Sequence, residues 1–397
     1  MRSTAFAARL FVVVAVLVLA VASAASASRP PGDLPNSPAT PDARSGEQWD
    51  MQRIHAFEAQ AITGGSPLVR VALIDSGIAP HAEFAGRIDT ANSVSCLTGE
   101  PVTDPTGALW ADDVGHGTQV AGIVAAADDG VGIVGVAPNV QLLIVKVAGA
   151  GRPITPQAAA CAFEYVAAQH VDVANASFAV DQGATGGADP LDYFCRSNEA
   201  DAGVIKLVEG AVRDAIRSGT TVVASAGNSG IDMAHPAGGE DCLRMPVGLP
   251  GVIGVSGDGR DGMLTSSTPP GPSNFGLGII DLVAPGGDVN QGGLPGPAGP
   301  GGVILTTVVG PTPYRFVAGT SFAAAHVSGV AALVVSRFGD LKSPNNGKLS
   351  PGFVRALLER TAERMPCPAG DPRCEGSDSY NGFFGHGEVN ALAALTD

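Results

Sequence analysis

The chain has 397 residues, 45% hydrophobic and 15% charged, with 54 glycines, 30 prolines and a formal net charge of -15. That apolar share supports a sizeable core and excludes wholesale disorder, while the glycine and proline content points to many turns and long surface loops. The acidic balance disfavours nucleic acid and anionic membrane as partners, because their phosphates would repel it.

Arg2 and Arg9 accompany an unbroken apolar run from Leu10 to Val21, and Ala25, Ser26 and Ala27 offer small residues for cleavage. Residues 1–27 read as a signal peptide rather than a membrane span, since the run has about 12 residues where a spanning helix needs about 20. Residues 28–47 are rich in Pro, Ser and Asp without periodicity, so a flexible leader is expected, far below the size of a folded pro-segment. The folded unit is expected over residues 48–397, and the ending Leu395-Thr396-Asp397 offers no membrane anchor. Nothing in the sequence gives a reason to expect an oligomer.

Within that unit, residues 68–75 (LVRVALID) read as a strand rich in branched side chains and residues 117–127 as a helix. Residues 140–147 (VQLLIVKV) form another buried-looking strand, followed by a helix over 155–169, a short strand over 171–177 and a helix over 204–218. Strands are expected at 221–226 and 252–256, and a long small-residue helix at 320–337. Continuous apolar strands alternating with helices imply one α/β domain of three layers, with a mostly parallel central sheet covered by helices on both faces. Two stretches interrupt the pattern. Residues 181–203 look acidic and loop-like, and residues 286–302 are almost all Gly, Pro and small polar residues.

Export would place the six cysteines in an oxidising compartment, where an even count suggests three disulfides among 15 possible connectivities. Cys367 and Cys374 flank a short turn and form the best pair; Cys195 and Cys242 lie in two polar loops, leaving Cys96 with Cys161. No Cys-x-x-Cys spacing supports zinc.

Active sites of parallel sheets gather beyond the carboxyl ends of strands, and three reactive groups sit at such junctions. Asp75 ends the first strand before Ser76-Gly77, His116 opens a helix in Gly-His-Gly-Thr, and Ser321 opens another in Gly-Thr-Ser. Asn228 follows the strand that ends in Ala226-Gly227. Amide hydrolysis could use all four. Ser321 would be the nucleophile, His116 its base and Asp75 the orienting carboxylate; the Asn228 amide and the Ser321 N–H would meet the oxyanion. Taken singly, an Asp at a strand end is more often a turn residue and a Ser before a helix more often a cap.

The segments around them change that weighing. VALIDSG (71–77), HGTQVAG (116–122), SAGNSG (225–230) and GTSFAAAHVSG (319–329) resemble the signatures of the subtilisin-like serine proteases, the subtilases. The resemblance runs on through VGIVGVAP (131–138), SNFG (273–276), VAPGG (283–287) and GHGEVNALAAL (385–395), and covers residues 48–395. It implies a secreted endopeptidase acting on protein or peptide, with Asp75, His116, Ser321 and Asn228 in the roles given above. Thr320 would support the oxyanion hole; Ser177, Phe178 and Ala179 with Ala224, Ser225, Ala226 and Gly227 would bind the substrate backbone and wall the first specificity pocket. The other histidines, His326 included, would be structural.

The resemblance also implies a structural calcium site and no cofactor for catalysis. Glu83 and Asp129 would supply carboxylates, and Ala127, Val131 and Ile133 carbonyls, although paired acids in a loop also read as solvated charge. The chain departs from the family pattern at Phe322 and Ala325, where Met and Pro are usual, and at Ala179 and Val180, where glycines are usual. The latter pair is expected to narrow the cleft, and the acidic stretch 181–203 to favour basic substrates. A protease dedicated to one exported peptide, or a binding protein on the same fold, would share most of these features.

Overall fold

The computed structural model describes residues 42–182, 193–237, 239, 241–266, 271–291, 301–342 and 348–397. The expected signal peptide and most of the expected leader lie outside these residues. Helices among them are α1 (Trp49–Arg53), α2 (Ala56–Gln60), α3 (His116–Ala125), α4 (Pro156–Ala168), α5 (Glu199–Arg217), α6 (Thr320–Phe338), α7 (Pro351–Thr361) and α8 (Ala391–Thr396). The strands are β1 (Arg70–Asp75), β2 (Val94–Ser95), β3 (Val102–Thr103), β4 (Gln141–Lys146), β5 (Val173–Ala176) and β6 (Phe194–Cys195). Beyond them come β7 (Thr221–Ser225), β8 (Cys242–Leu243), β9 (Ile253–Asp258), β10 (Leu282–Pro285), β11 (Ile304–Thr307), β12 (Tyr314–Val317), β13 (Gly376–Ser377) and β14 (Tyr380–Asn381).

The central sheet runs β10-β9-β7-β5-β1-β4-β2-β3, parallel throughout except for the final β2–β3 pair. Alternation of side chains explains why its strands read as continuous apolar runs. Val71 and Leu73 of β1, with Leu142 and Ile144 of β4, enter the core shared with α3 and α6. Ala72 and Ile74, with Leu143 and Val145, enter the opposite core, packed by α4 and α5. The expected three-layer α/β architecture is the one observed.

α6 is long and apolar enough to cross a membrane, yet it is the core helix here, with Thr320 through Val335 all buried. Its Ala and Gly content lets the backbone press closely on the sheet. A Cβ on Gly329 would stand 2.5 Å from the Val136 side chain.

Two expectations need correction. α5 starts at Glu199, inside the stretch read as an acidic loop. The Asn198 side chain accepts from the Ala200 and Asp201 N–H groups, and Glu199 and Asp201 face the positive end of the helix. Residues 42–47, expected in a flexible leader, are packed on the body. The Arg44 N–H donates to the Gly132 carbonyl at 2.7 Å, and Asp42 is buried, accepting from the Gly130 N–H at 2.8 Å. The cysteines pair as expected: Cys96 with Cys161, Cys195 with Cys242, and Cys367 with Cys374. Cys195 and Cys242 stand opposite each other on paired strands rather than in loops.

Candidate active site

Asp75 is the last residue of β1, at the carboxyl edge of the sheet, and His116 is the first of α3. Their loops touch because neither carries a side chain at the contact. A Cβ on Gly117 would lie 2.1 Å from the Gly77 carbonyl oxygen, and Gly77 itself has φ +106°. The approach brings His116 Nδ1 to 2.8 Å from Asp75 Oδ1, with the Asp75 side chain 4% exposed and the His116 ring 32% exposed. Burial pulls the imidazole pKa down, but the Asp75 charge and hydrogen bond outweigh it and leave it raised above 6.5.

A second carboxylate fixes this corner. Asp112 accepts from the Ser76 hydroxyl at 2.8 Å, the Gly115 N–H at 2.7 Å and both the N–H and hydroxyl of Thr118. The Ser76 hydroxyl in turn accepts from the Gly117 N–H at 2.9 Å. Buried Lys146 donates to the Ser76 and Ala111 carbonyls and to Asp113. Neither Asp112 nor Lys146 stands in a recognisable motif. Their only signal was the adjacent pair Asp112-Asp113, which looks like a solvated turn.

Ser321 is the second residue of α6, in the first turn, whose N–H groups have no intrahelical partner. Its hydroxyl lies 3.4 Å from the Ser177 carbonyl and is not hydrogen-bonded to His116; the Phe322 ring sits 5.9 Å from the His116 ring. The Ser177 hydroxyl donates to the Ser321 carbonyl at 2.9 Å, and is held by Asn175, which Ser328 supports from inside α6. Asn228 Oδ1 accepts the Thr320 N–H at 2.9 Å, which turns the NH2 end of the amide the other way. The Thr320 hydroxyl accepts from the Gly227 N–H at 3.0 Å.

Two hollows flank these groups. One, of about 430 Å³, is lined by Asp75, His116, Ser177, Phe178, Ala179, Arg152 and Asp181 among others. The other, of about 270 Å³, contains Ser321 and Asn228 with Ser177, Phe178, Ala179, Ser225, Ala226 and Gly227. Ala224 is buried on β7 and lines neither. Of the two residues expected to narrow the cleft, Ala179 does face both hollows. Val180 is 1% exposed in the core, its N–H on the Met245 carbonyl. Residues 183–192 of the acidic stretch, Asp189 and Asp192 among them, lie outside the described residues.

His326 is fully buried, with its ring between the Phe322 carbonyl and Asp50, far in role from the cleft. The residues named for calcium meet around Glu83, but in an arrangement that does not suit a cation. Glu83 accepts from the Ala127 N–H at 3.0 Å, the Ile133 N–H at 3.3 Å and the Tyr314 hydroxyl. That hydroxyl rests against Gly132 inside the loop, where a Cβ would overlap it. Asp129 is spent on the Val131 N–H. Calcium needs six or more oxygens turned toward one point; here hydrogen-bond donors point at the carboxylate, so the set as arranged does not fit the ion.

The sequence pattern that defines the subtilase family matches residues 67–387. Alkaline elastase YaB of Bacillus sp. (strain YaB) is 31% identical, over 87% of this chain and 69% of its own. Subtilisin Savinase of Lederbergia lenta is 30% identical, over 87% of this chain and 97% of its own. Among solved structures, a lanthipeptide protease shares the fold with a TM-score of 0.68 at 24% identity, covering 87% of this chain and 92% of that one. Motifs, fold and relatives agree, and the chain belongs to the subtilase family, as a subtilisin-like serine protease.

Proposed function

We propose that this protease is an exported endopeptidase that cleaves peptide bonds through Ser321, His116 and Asp75. The observation that carries the reading is the 2.8 Å bond from His116 to Asp75 at one hollow, which shares Ser177, Phe178 and Ala179 with the hollow that Ser321 and Asn228 line. Asp75 holds Nδ1 protonated, leaving Nε2 to accept a proton. Ser321 Oγ would leave its resting contact with the Ser177 carbonyl and give its proton to Nε2 as it bonds to the substrate carbonyl carbon. The Asn228 NH2 and the Ser321 N–H then donate to the oxygen that gains the charge. His116 returns the proton to the leaving amine as the C–N bond breaks, and water attacks the acyl-enzyme by the same route.

Export rests on the pattern of residues 1–27, which would also suit the three disulfides. No step is routed through calcium, for the reason given at Glu83. Dedication to one exported peptide is a second reading, favoured by the charged side chains of Arg152 and Asp181 in the larger hollow. A fluorophosphonate probe tests the mechanism. A single adduct on Ser321, absent in Ser321→Ala, is expected; a folded protein that takes no label would overturn it and favour a binding role. Profiling with a peptide library then separates broad from dedicated cleavage.

A further inference from the structure

Behind the smaller hollow lies a side chain that lines neither hollow yet grips the chain on both sides of Asn228. Asn274, in the segment SNFG (273–276), is fully buried. Its Oδ1 accepts the Ser229 and Ile231 N–H groups, each at 3.0 Å, and its Nδ2 donates to the Ala226 carbonyl at 2.8 Å. Its own backbone N–H donates to the Gly227 carbonyl at 2.8 Å. Two N–H groups at one end of the amide and a carbonyl at the other permit only this orientation of the side chain.

Residues 226–231 follow β7 and belong to no helix or strand. Gly227 and Gly230 hold φ +98° and +66°, and glycine moves easily between such conformations. Without an outside partner this segment would have no fixed course. Asn274 supplies one. The fit is close: a Cβ on Gly227 would stand 2.7 Å from Asn274 Nδ2, and one on Gly271 would stand 2.2 Å from the Asn228 carbonyl oxygen. The brace is itself anchored. The Phe275 N–H donates to the Ile231 carbonyl at 3.0 Å, and the Phe275 ring meets Phe383 edge-on at 4.9 Å. α6 fixes the Asn228 amide oxygen through the Thr320 N–H, while Asn274 fixes the backbone that carries it.

We infer that Asn274 is a positioning residue for catalysis, holding the 226–231 loop so that the Asn228 NH2 meets the oxyanion. The inference rests on the proposed endopeptidase reading, in which Asn228 is that donor. An oxyanion donor works by standing in place before the charge develops, so a loose backbone costs turnover even with Asn228 intact.

The test is a double-substitution cycle, read in kcat with a fluorogenic peptide. Asn274→Ala alone should lower kcat by about tenfold to a hundredfold, the range of a misplacement near 1 Å, with a smaller change in KM. In an Asn228→Ala background the same substitution should lower kcat little further, because the donor it positions is already gone. A residue that only supports the fold would cost the same factor in both backgrounds, and that additive result overturns the proposal. An Asn274→Ala variant with wild-type kcat overturns it as well. Asn274→Ser keeps a polar group and leaves a smaller void, so it should show the same pattern with a smaller loss. Denaturant unfolding reports which variants are folded, and the serine variant carries the cycle if alanine does not fold. If neither folds, Asn274 is a residue of the fold and the proposal falls. Two other outcomes strike elsewhere. Wild type that takes no fluorophosphonate label on Ser321 would overturn the endopeptidase reading, and Asn228→Ala with wild-type kcat would remove Asn228 as the donor.

Discussion

At the scale of residues, the catalytic geometry depends on a histidine whose charge state is set by one buried carboxylate. Because the His116 pKa is raised, kcat/KM should fall on the acid side with a midpoint above pH 6.5, and a pH–rate profile reads it directly. Asp75→Asn keeps the shape but reverses the tautomer preference. Turnover should drop by about 10⁴-fold, the loss seen when the corresponding charge is removed from another triad. Asp75, His116, Ser321 and Asn228 were legible because each sits in a short motif at a strand end or helix start. Asp112, Ser76 and Lys146 were not. Their function is to hold His116 in place, and a holding residue is defined by what it touches after folding.

Strands were the easiest elements to read, because both faces of a parallel sheet are buried and the apolar runs are continuous. Helix starts were harder. α5 begins five residues before its apolar pattern does, since its first turn is specified by the Asn198 cap and two acids. Asn198→Ala should cost about 1 kcal/mol, measurable by denaturant unfolding. The calcium loop shows the opposite failure. Its local sequence resembles a cation site, but the partner that closes it, Tyr314, lies 231 residues from Glu83. Burial raises the Glu83 carboxyl above its ordinary value even with three donors on it. Removing one donor should therefore be felt. Tyr314→Phe should lose about 1–3 kcal/mol, whereas a chelator added to the wild type should leave the melting temperature unchanged. A chelator-induced fall of several degrees would restore the cation.

Stability of the whole molecule should depend on pH through a buried acid pair that joins distant parts of the chain. Asp258, at the end of β9, is fully buried beside Glu388, with Arg53 paired to both. Burial and then the Glu388 charge raise Asp258 well above its ordinary value, against the pull of Arg53. A carboxyl raised on folding binds its proton more tightly in the native state, so its contribution is favourable at low pH and is lost as pH rises through the folded value. Asp258→Asn should thus stabilise the protein more at pH 8 than at pH 5, as read by denaturant unfolding at the two pH values. The disulfides act at the same scale. Cys96–Cys161 spans 65 residues and Cys367–Cys374 only 7, so replacing the first pair should cost about 4 kcal/mol and the second about 2. The nucleophile, finally, is mounted on the first turn of the helix around which the core is built. No hinge separates Ser321 from Val335, so the serine has no private way to come loose. On heating, the decay of probe labelling and the far-ultraviolet melt should trace one curve, and ageing of this enzyme would be all-or-none: each surviving molecule fully active, each inactive one already unravelled.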